Sequence, residues 1–278
     1  MHSTHIDKKN GMHEFYPDCT VIHPTAVVSE LAHIDTGARV GPYSIIEDNV
    51  HIGSGSVIGP HVVIKRNVRI GKNNKIHSHS VLGDTPQDIS FIEDEPTWLI
   101  IGDRNVIREG VTIHRSTSTE NPTMVGSDCF FMAYAHIAHD CVIQNGVILT
   151  NNVALGGYVE VGEKAFLGGA VVVHQFCRIG CFSMTAGQIA IRRDVLPYSL
   201  IGGCPVRHFR LNTIGLRRAG LKGKRYRALE IAFRALRKEK NSNEFPLTAE
   251  TELLRSWYLS PSKRGVYGFA SSDEADSF

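Results

Sequence analysis

Residues 39–64 read "RVGPYSIIEDNVHIGSGSVIGPHVVI", and every sixth residue from Val40 is a branched aliphatic: Val40, Ile46, Ile52, Ile58 and Ile64. The register extends both ways. From Ile22 to Leu82, eleven consecutive hexads begin with Ile, Val or Leu. The fifth place of most hexads is small or β-branched, as at Ala26, Ala32, Ala38, Ser44, Val50, Ser56 and Val62. The pattern stops after Leu82 and resumes at Ile101, Ile107 and Ile113. It stops again, then runs from Val125 to Ile179, and Thr185 alone interrupts it before Ile191.

A period of six is neither the 3.6 of a helix nor the two of a strand. It suits one short strand and one corner per hexad, with places one and five turned inward. Three hexads then close a triangular coil, and coils stack as parallel strands roughly 4.8 Å apart. This is the hexapeptide signature of a parallel β-helix, whose hand the period alone leaves open. The expected β-helix spans residues 20–205, with loops at 83–100 and 116–124 where the register breaks. Beyond it, Leu, Ala, Arg and Lys recur at helical spacing, as in "RYRALEIAFRALRKEK". Helices are expected at about 211–220, 222–239 and 247–258, in a small α-helical domain over 206–260. Residues 1–19 read as a loosely held arm and 261–278 as a flexible acidic tail.

Composition narrows the function classes. Hydrophobic residues make up 42% and charged ones 21%, values of a soluble globular chain. A formal charge of +2 gives no reason to expect nucleic acid. No run is long enough for a membrane span, and the N-terminus lacks a secretory signal. Six cysteines in 278 residues do not make a disulfide framework. The expected location is the cytoplasm.

The coil then places the polar residues. Cys129, Cys141 and Cys177 fall at place five and read as small core residues. His136, His139 and His174 fall at places six, three and two, all outward. One coil beyond His139 lies Gly157, and one further lies Gln175. An imidazole below a glycine, whose backbone N–H a ligand can approach, suits acyl transfer: a base for the proton and a donor for the oxyanion. For single outward histidines such as His51, His61, His77 and His79, solvation is explanation enough. For the cluster with Asp140 alongside, function is favoured. A zinc site built on His136 and His139 is the rival, as in a zinc-dependent β-helical hydratase. Against it, Cys141 points inward and Asp140 is the lone carboxylate at hand. The expectation is therefore no metal; stoichiometric zinc with activity lost on chelation would overturn it. A non-catalytic repeat protein would not need the two loops or the His/Asp edge.

The period and its breaks, with "HIAHDC", "VHQFC", "PQD", "IGDRNVIREGVTIHR" and the Arg-rich helical end, resemble the UDP-N-acetylglucosamine O-acyltransferases of lipid A biosynthesis over about residues 20–260. The resemblance implies a left-handed β-helix, against the usual right-handed crossover. It also implies a homotrimer with sites between subunits, and a (3R)-3-hydroxyacyl group delivered on acyl carrier protein to the 3-hydroxyl of the UDP-sugar. On this basis His139 is the general base, Asp140 orients it and Gly157 N–H is the oxyanion donor. Asp88, His114, His136, His174 and Gln175 contact the substrates, and Asn212 and Arg218 reach the nucleotide. Gly187 sets acyl-chain length, its missing side chain favouring a long chain. A thioester is already activated, so no cofactor is expected.

The twelve Arg and Lys against two Glu over residues 207–240 read as a docking patch for the acidic carrier. Four positions depart from the family pattern: Tyr158 for histidine, Ser90 for lysine, Ile214 for an acidic residue and Ala219 for arginine. All four concern the sugar nucleotide, which leaves a modified or 3-amino sugar as an alternative acceptor.

Overall fold

Each hexad contributes a two-residue strand, its sixth place joined to the next first place, as in Val57–Ile58 and Val63–Ile64. The structure, a computed structural model, describes residues 20–92, 94–238 and 245–271. The strands stack into three sheets of eleven, nine and eight strands, here sheets 1, 2 and 3. Paired strands are parallel and 18 residues apart, as in Val21↔Arg39, Ile45↔Val63 and Val142↔Glu160. The solenoid is the one expected from the hexads. Where the register breaks, one turn takes 31 residues (Val68↔Leu99) and another 24 (Thr112↔His136). The surplus is looped outward and the strands rejoin the stack.

First-place side chains fill the prism. Ile46, Ile52, Ile58, Ile64, Ile113 and Ile137 are all at most 1% exposed, each burial stabilising by roughly 1.5–3 kcal/mol. Fifth-place polar residues are buried too, but they are bonded. Ser44 and Ser56 donate to the carbonyls of Gly59 and Gly71 at 2.7 and 2.8 Å. Asn74 donates to Gly102 O and accepts from Asn105 N, each at 2.9 Å. Cys129, Cys141 and Cys177 are core residues, and burial pushes their thiols up to about 11, 12 and 12.

Fourth places turn the corners with positive φ. Asn49, Asn67 and Asn152 adopt it, residues that tolerate it well. Asp140 does the same at φ 59°. Both loops leave one corner. Val81–Asp84 and Thr112–His114 end in sheet 2, and Leu99–Ile101 and Thr123–Val125 resume in sheet 3. The segment 138–141 turns that same corner, between His136–Ile137 and Val142–Ile143.

After the coil, Ser199–Gly202 and Arg207–Leu211 form an antiparallel pair at the end of sheet 1. Residues 207–211, expected in the helical domain, are thus a strand that caps the solenoid. Helices α1 (Thr213–Arg218), α2 (Lys224–Arg237) and α3 (Ala249–Leu259) follow, close to the expected spans. Leu216, Leu229, Phe233 and Leu254 pack on Leu196, Tyr198 and Leu211 in a second core. Helix α3 begins at a capping box between Thr248 and Thr251.

Residues 261–271, expected as part of a flexible tail, are docked on the molecule. Val266 bridges Asp194, Phe269 bridges His208, and Ala270 is buried. His208 holds the docked segment, its Nδ1–H donating to Tyr267 O while Nε2 accepts from Leu196 N. Burial lowers its pKa to about 4. The expected arm at 1–19 and the last residues of the tail, 272–278, lie outside the described residues. No helix among the described residues is long and apolar enough to cross a membrane.

Candidate active site

His139 stands at the third place of its corner, outside the prism. It is nevertheless only 8% exposed. Tyr158 meets the imidazole edge-on at 5.4 Å, and Gly157 lies against its other atoms. The outward histidine of the sequence reading is thus enclosed without being in the core. Its Nδ1 lies 2.7 Å from Asp140 Oδ2. An ionised carboxylate only accepts, so Nδ1 carries the proton and Nε2 keeps its lone pair.

Asp140 is fixed from three sides. The Thr117 N–H and hydroxyl donate to its carboxylate, the hydroxyl at 2.7 Å, and its own N–H donates to Thr123 Oγ1 at 2.8 Å. Burial alone would raise the Asp140 carboxyl; the bonds from His139 and Thr117 outweigh it and hold the group below the usual carboxylate value. The Tyr158 hydroxyl lies 2.9 Å from Thr117 Oγ1. Thr117 donates to the carboxylate, so Tyr158 is the donor in that contact. Its ring stacks on Phe176 at 4.8 Å.

Gly157 lies on the imidazole. A methyl built there would come within 2.6 Å of His139 Cε1 and 2.8 Å of Nε2. Tyr158 N–H donates to His139 O, and Phe176 N–H to Gly157 O, stacking three successive corners. The Gly157 N–H has no acceptor among the described residues. Third-place N–H groups at several other corners bond a side chain, as Lys72 does to Asp103 and Ser127 to Asn145, whereas Gly157 has no Cβ and an imidazole beside it.

Five other expected residues gather here. Asp88 bonds the Ser90 N–H and hydroxyl at 2.9 and 2.7 Å. Those bonds lower its carboxyl, and His139 is near enough to add to the shift. Ser90 thus holds Asp88. His136 accepts from the Thr112 hydroxyl at 2.7 Å or donates to it, and its ring meets that of His114 at 4.9 Å. Burial, then repulsion by His136, lowers His114 to about 4, which keeps it neutral. His174 and Gln175 lie exposed one coil beyond Gly156 and Gly157.

Three expected residues lie elsewhere in the chain. Gly187 is on the corner between sheets 1 and 2, over Gly169, and the two glycines floor a hollow with Asn151, Asn152, Ala170 and Gln188. Asn212 and Arg218 line another hollow with Lys164, Phe182, Gly215 and Ala219, near the corner between sheets 3 and 1. The Asn212 side chain caps α1 through Gly215 N and donates to Phe182 O, so its bonding groups already have partners. Within one chain the site is split over three edges. Nor do His136, His139 and His174 converge as a zinc clip here. Among the described residues, only His33, Asp35 and His51 bring three ligand atoms together.

The sequence reading missed Thr117, Thr123 and the C-terminal segment. Lys263 places its ammonium 4.3 Å from the centre of the Phe176 ring, and Arg264 Nε–H donates to Gln175 O. Removing a hydrogen bond to a charged group costs roughly 1.5–3 kcal/mol. Thr117→Val should therefore lower kcat about tenfold or more with little change in KM. It should also move the acid limb of the pH profile upward, because the Asp140 carboxylate loses a donor. An unmoved limb would show that Thr117 only fills space.

The chain was compared with known proteins. A model described as bacterial transferase hexapeptide matches residues 31–66, 49–84 and 122–157. One described as UDP N-acetylglucosamine O-acyltransferase, domain 2, matches residues 194–264. An acyl-[acyl-carrier-protein]--UDP-N-acetylglucosamine O-acyltransferase of Alkalilimnicola ehrlichii is 52% identical over 78% of this chain and 84% of its own. One of that name from Janthinobacterium sp. is 46% identical, over 78% and 83%. Among solved structures, a UDP-N-acetylglucosamine O-acyltransferase from Moraxella catarrhalis superposes with a TM-score of 0.80 at 35% identity, covering 88% of this chain and 99% of that one. One from Francisella novicida gives 0.84 at 32%, over 91% and 96%.

Proposed function

Because the chain belongs to the UDP-N-acetylglucosamine O-acyltransferase family, we propose that His139 is the general base of a direct acyl transfer from acyl carrier protein to UDP-N-acetylglucosamine. One observation carries this reading: Nδ1 is bonded to Asp140 while the Nε2 side of the ring lies on Gly157. Nε2 takes the proton of the sugar 3-hydroxyl as its oxygen attacks the thioester carbon. The carbonyl oxygen gains the charge, and the Gly157 N–H donates to it. The C–S bond then breaks, and the imidazolium returns the proton to the leaving thiolate. Asp140 stabilises the cation between the two steps. The donor is a (3R)-3-hydroxyacyl thioester, and the product enters lipid A synthesis in the cytoplasm.

Assembly completes the site. The outward residues of sheet 1 include Phe130, Ile148, Phe166 and Met184, and those of sheet 2 include Val27, Ile45 and Val172. Sheet 3 is mixed, setting Ile100, Met124 and Val142 among His51, Arg69, Glu160 and Arg178. Two apolar faces meeting at one corner suit a ring in which sheet 2 of one copy packs on sheet 1 of the next. A homotrimer so built sets the His139 edge beside Asn212 and Arg218 of a neighbouring copy, and lays the Gly169–Gly187 trough along the interface for the acyl chain. In the basic patch Arg225 is already paired with Glu250, so Arg227, exposed, is the better carrier contact. The hexapeptide match and the solved relatives support the left-handed sense of the coil.

The test is incubation with 3-hydroxyacyl carrier donors of graded chain length and a panel of UDP-sugars, including a 3-amino sugar, read by mass spectrometry. The expected product is UDP-N-acetylglucosamine acylated on oxygen, with a long chain preferred. Absence of transfer to any hydroxyl, or preference for the 3-amino acceptor, would overturn the assignment.

A further inference from the structure

Away from this edge, a second cluster stands at the start of the solenoid. His33 and His51 are register partners on the outer face of sheet 3, in its terminal strand and the next one. Their rings are 5.0 Å apart. Asp35 follows His33 by two residues and turns its carboxylate to both: Oδ1 lies 3.0 Å from His33 Nε2 and 3.1 Å from His51 Nε2. All three ligand atoms fall within 4.8 Å of one another. Ligands about 2.0–2.1 Å from a tetrahedral ion are separated by about 3.3 Å, close to the two spacings between the carboxylate and the imidazoles.

We propose that His33, Asp35 and His51 form a surface site for a divalent transition-metal ion, which clips the first coil of the solenoid to the second. Two imidazoles and one carboxylate suit zinc, nickel or copper rather than calcium or magnesium, which prefer all-oxygen shells. On binding, each neutral imidazole takes the tautomer with its proton on Nδ1, which frees Nε2 for the ion, and water completes the shell. The nearest cation does not block the ion. Arg69, register partner of His51, lays its guanidinium over the Trp98 ring at 4.8 Å. The hollow around the cluster, lined also by Leu31, Asn49 and Trp98, is open to solvent.

The position gives the clip a purpose. A terminal repeat has a neighbour on one side only and is where a solenoid frays. The amides of His33 and Asp35 donate to Val50 O and Ile52 O, the bonds that join the two coils on this face. An ion across His33 and His51 would hold those bonds closed. Three strands of sheet 3 lie between that of His51 and the one that follows His139, roughly 20 Å along the axis. The ion therefore has no part in acyl transfer.

The chain has fourteen histidines, so binding must be read as a difference. The full-length protein, stripped with chelator, is titrated with Zn²⁺ by calorimetry beside Asp35→Asn, His51→Ala and a His61→Ala control. Replacing even the outer partner of a ligand typically weakens a metal site 10- to 100-fold. One equivalent per chain should therefore weaken at least about tenfold in the first two variants and stay unchanged in the third. Hydrogen exchange at the amides of 33 and 35 should slow with Zn²⁺ in wild type and in His61→Ala, but not in Asp35→Asn. Identical isotherms in all four proteins, or exchange at those amides indifferent to Zn²⁺, would overturn the proposal.

Discussion

His139→Ala should reduce turnover by about 10²–10⁴-fold, the usual worth of a positioned general base, with the fold intact. The imidazole lies outside the prism, so its loss opens no cavity among the first- and fifth-place side chains. Asp140 keeps its bonds from Thr117, so no charge is stranded. Circular dichroism, thermal midpoint and oligomeric mass should match wild type, and the loss should appear in kcat more than in KM. A variant within tenfold of the wild-type rate would refute the base assignment. Slow residual transfer is expected, since the Gly157 N–H and the substrate contacts persist.

Gly157→Ala should cost about 10²-fold, although it adds a single methyl and leaves the N–H in place. That methyl would sit 2.6 Å from His139 Cε1, and the three closest atoms to it all belong to that imidazole. The ring must swing away, and a displacement of about 1 Å at a reacting group can cost on the order of 10²-fold. The double variant separates this from a lost oxyanion donor. If the methyl acts by moving the imidazole, Gly157→Ala should cost little more once His139 is already Ala. An equal loss in both backgrounds would place the effect on the donor, or on the substrate's path, instead.

Thr117 was hidden from the sequence for a reason these two variants make plain. His139, Gly157 and Gln175 can be stacked on paper because an unbroken 18-residue turn separates them. Thr117 lies inside an insertion, where counting by sixes has no meaning, and its hydroxyl reaches Asp140 only because the loop folds back over the corner it left. Asn212 lies past the last hexad, where counting gives it no place, and only the fold shows its side chain capping α1 and donating to Phe182 O. The tail was misjudged because polar composition from Ser260 onward concealed Val266 and Phe269, which pack onto the C-terminal core, and Tyr267, which packs onto the solenoid core.

Repetition alone settled the parallel solenoid, its inward residues, the core cysteines and the outward His139 beneath Gly157. Each hexad states the same local geometry, so errors of register cannot accumulate. The tertiary structure decided what repetition does not encode: that both insertions leave the corner of His139, that the second holds Asp140 through Thr117, and that Gly187, Asn212 and Arg218 stand on other edges. An insertion follows its own side-chain contacts rather than the period. The distance between edges belongs to the closed prism, which no stretch of chain specifies by itself.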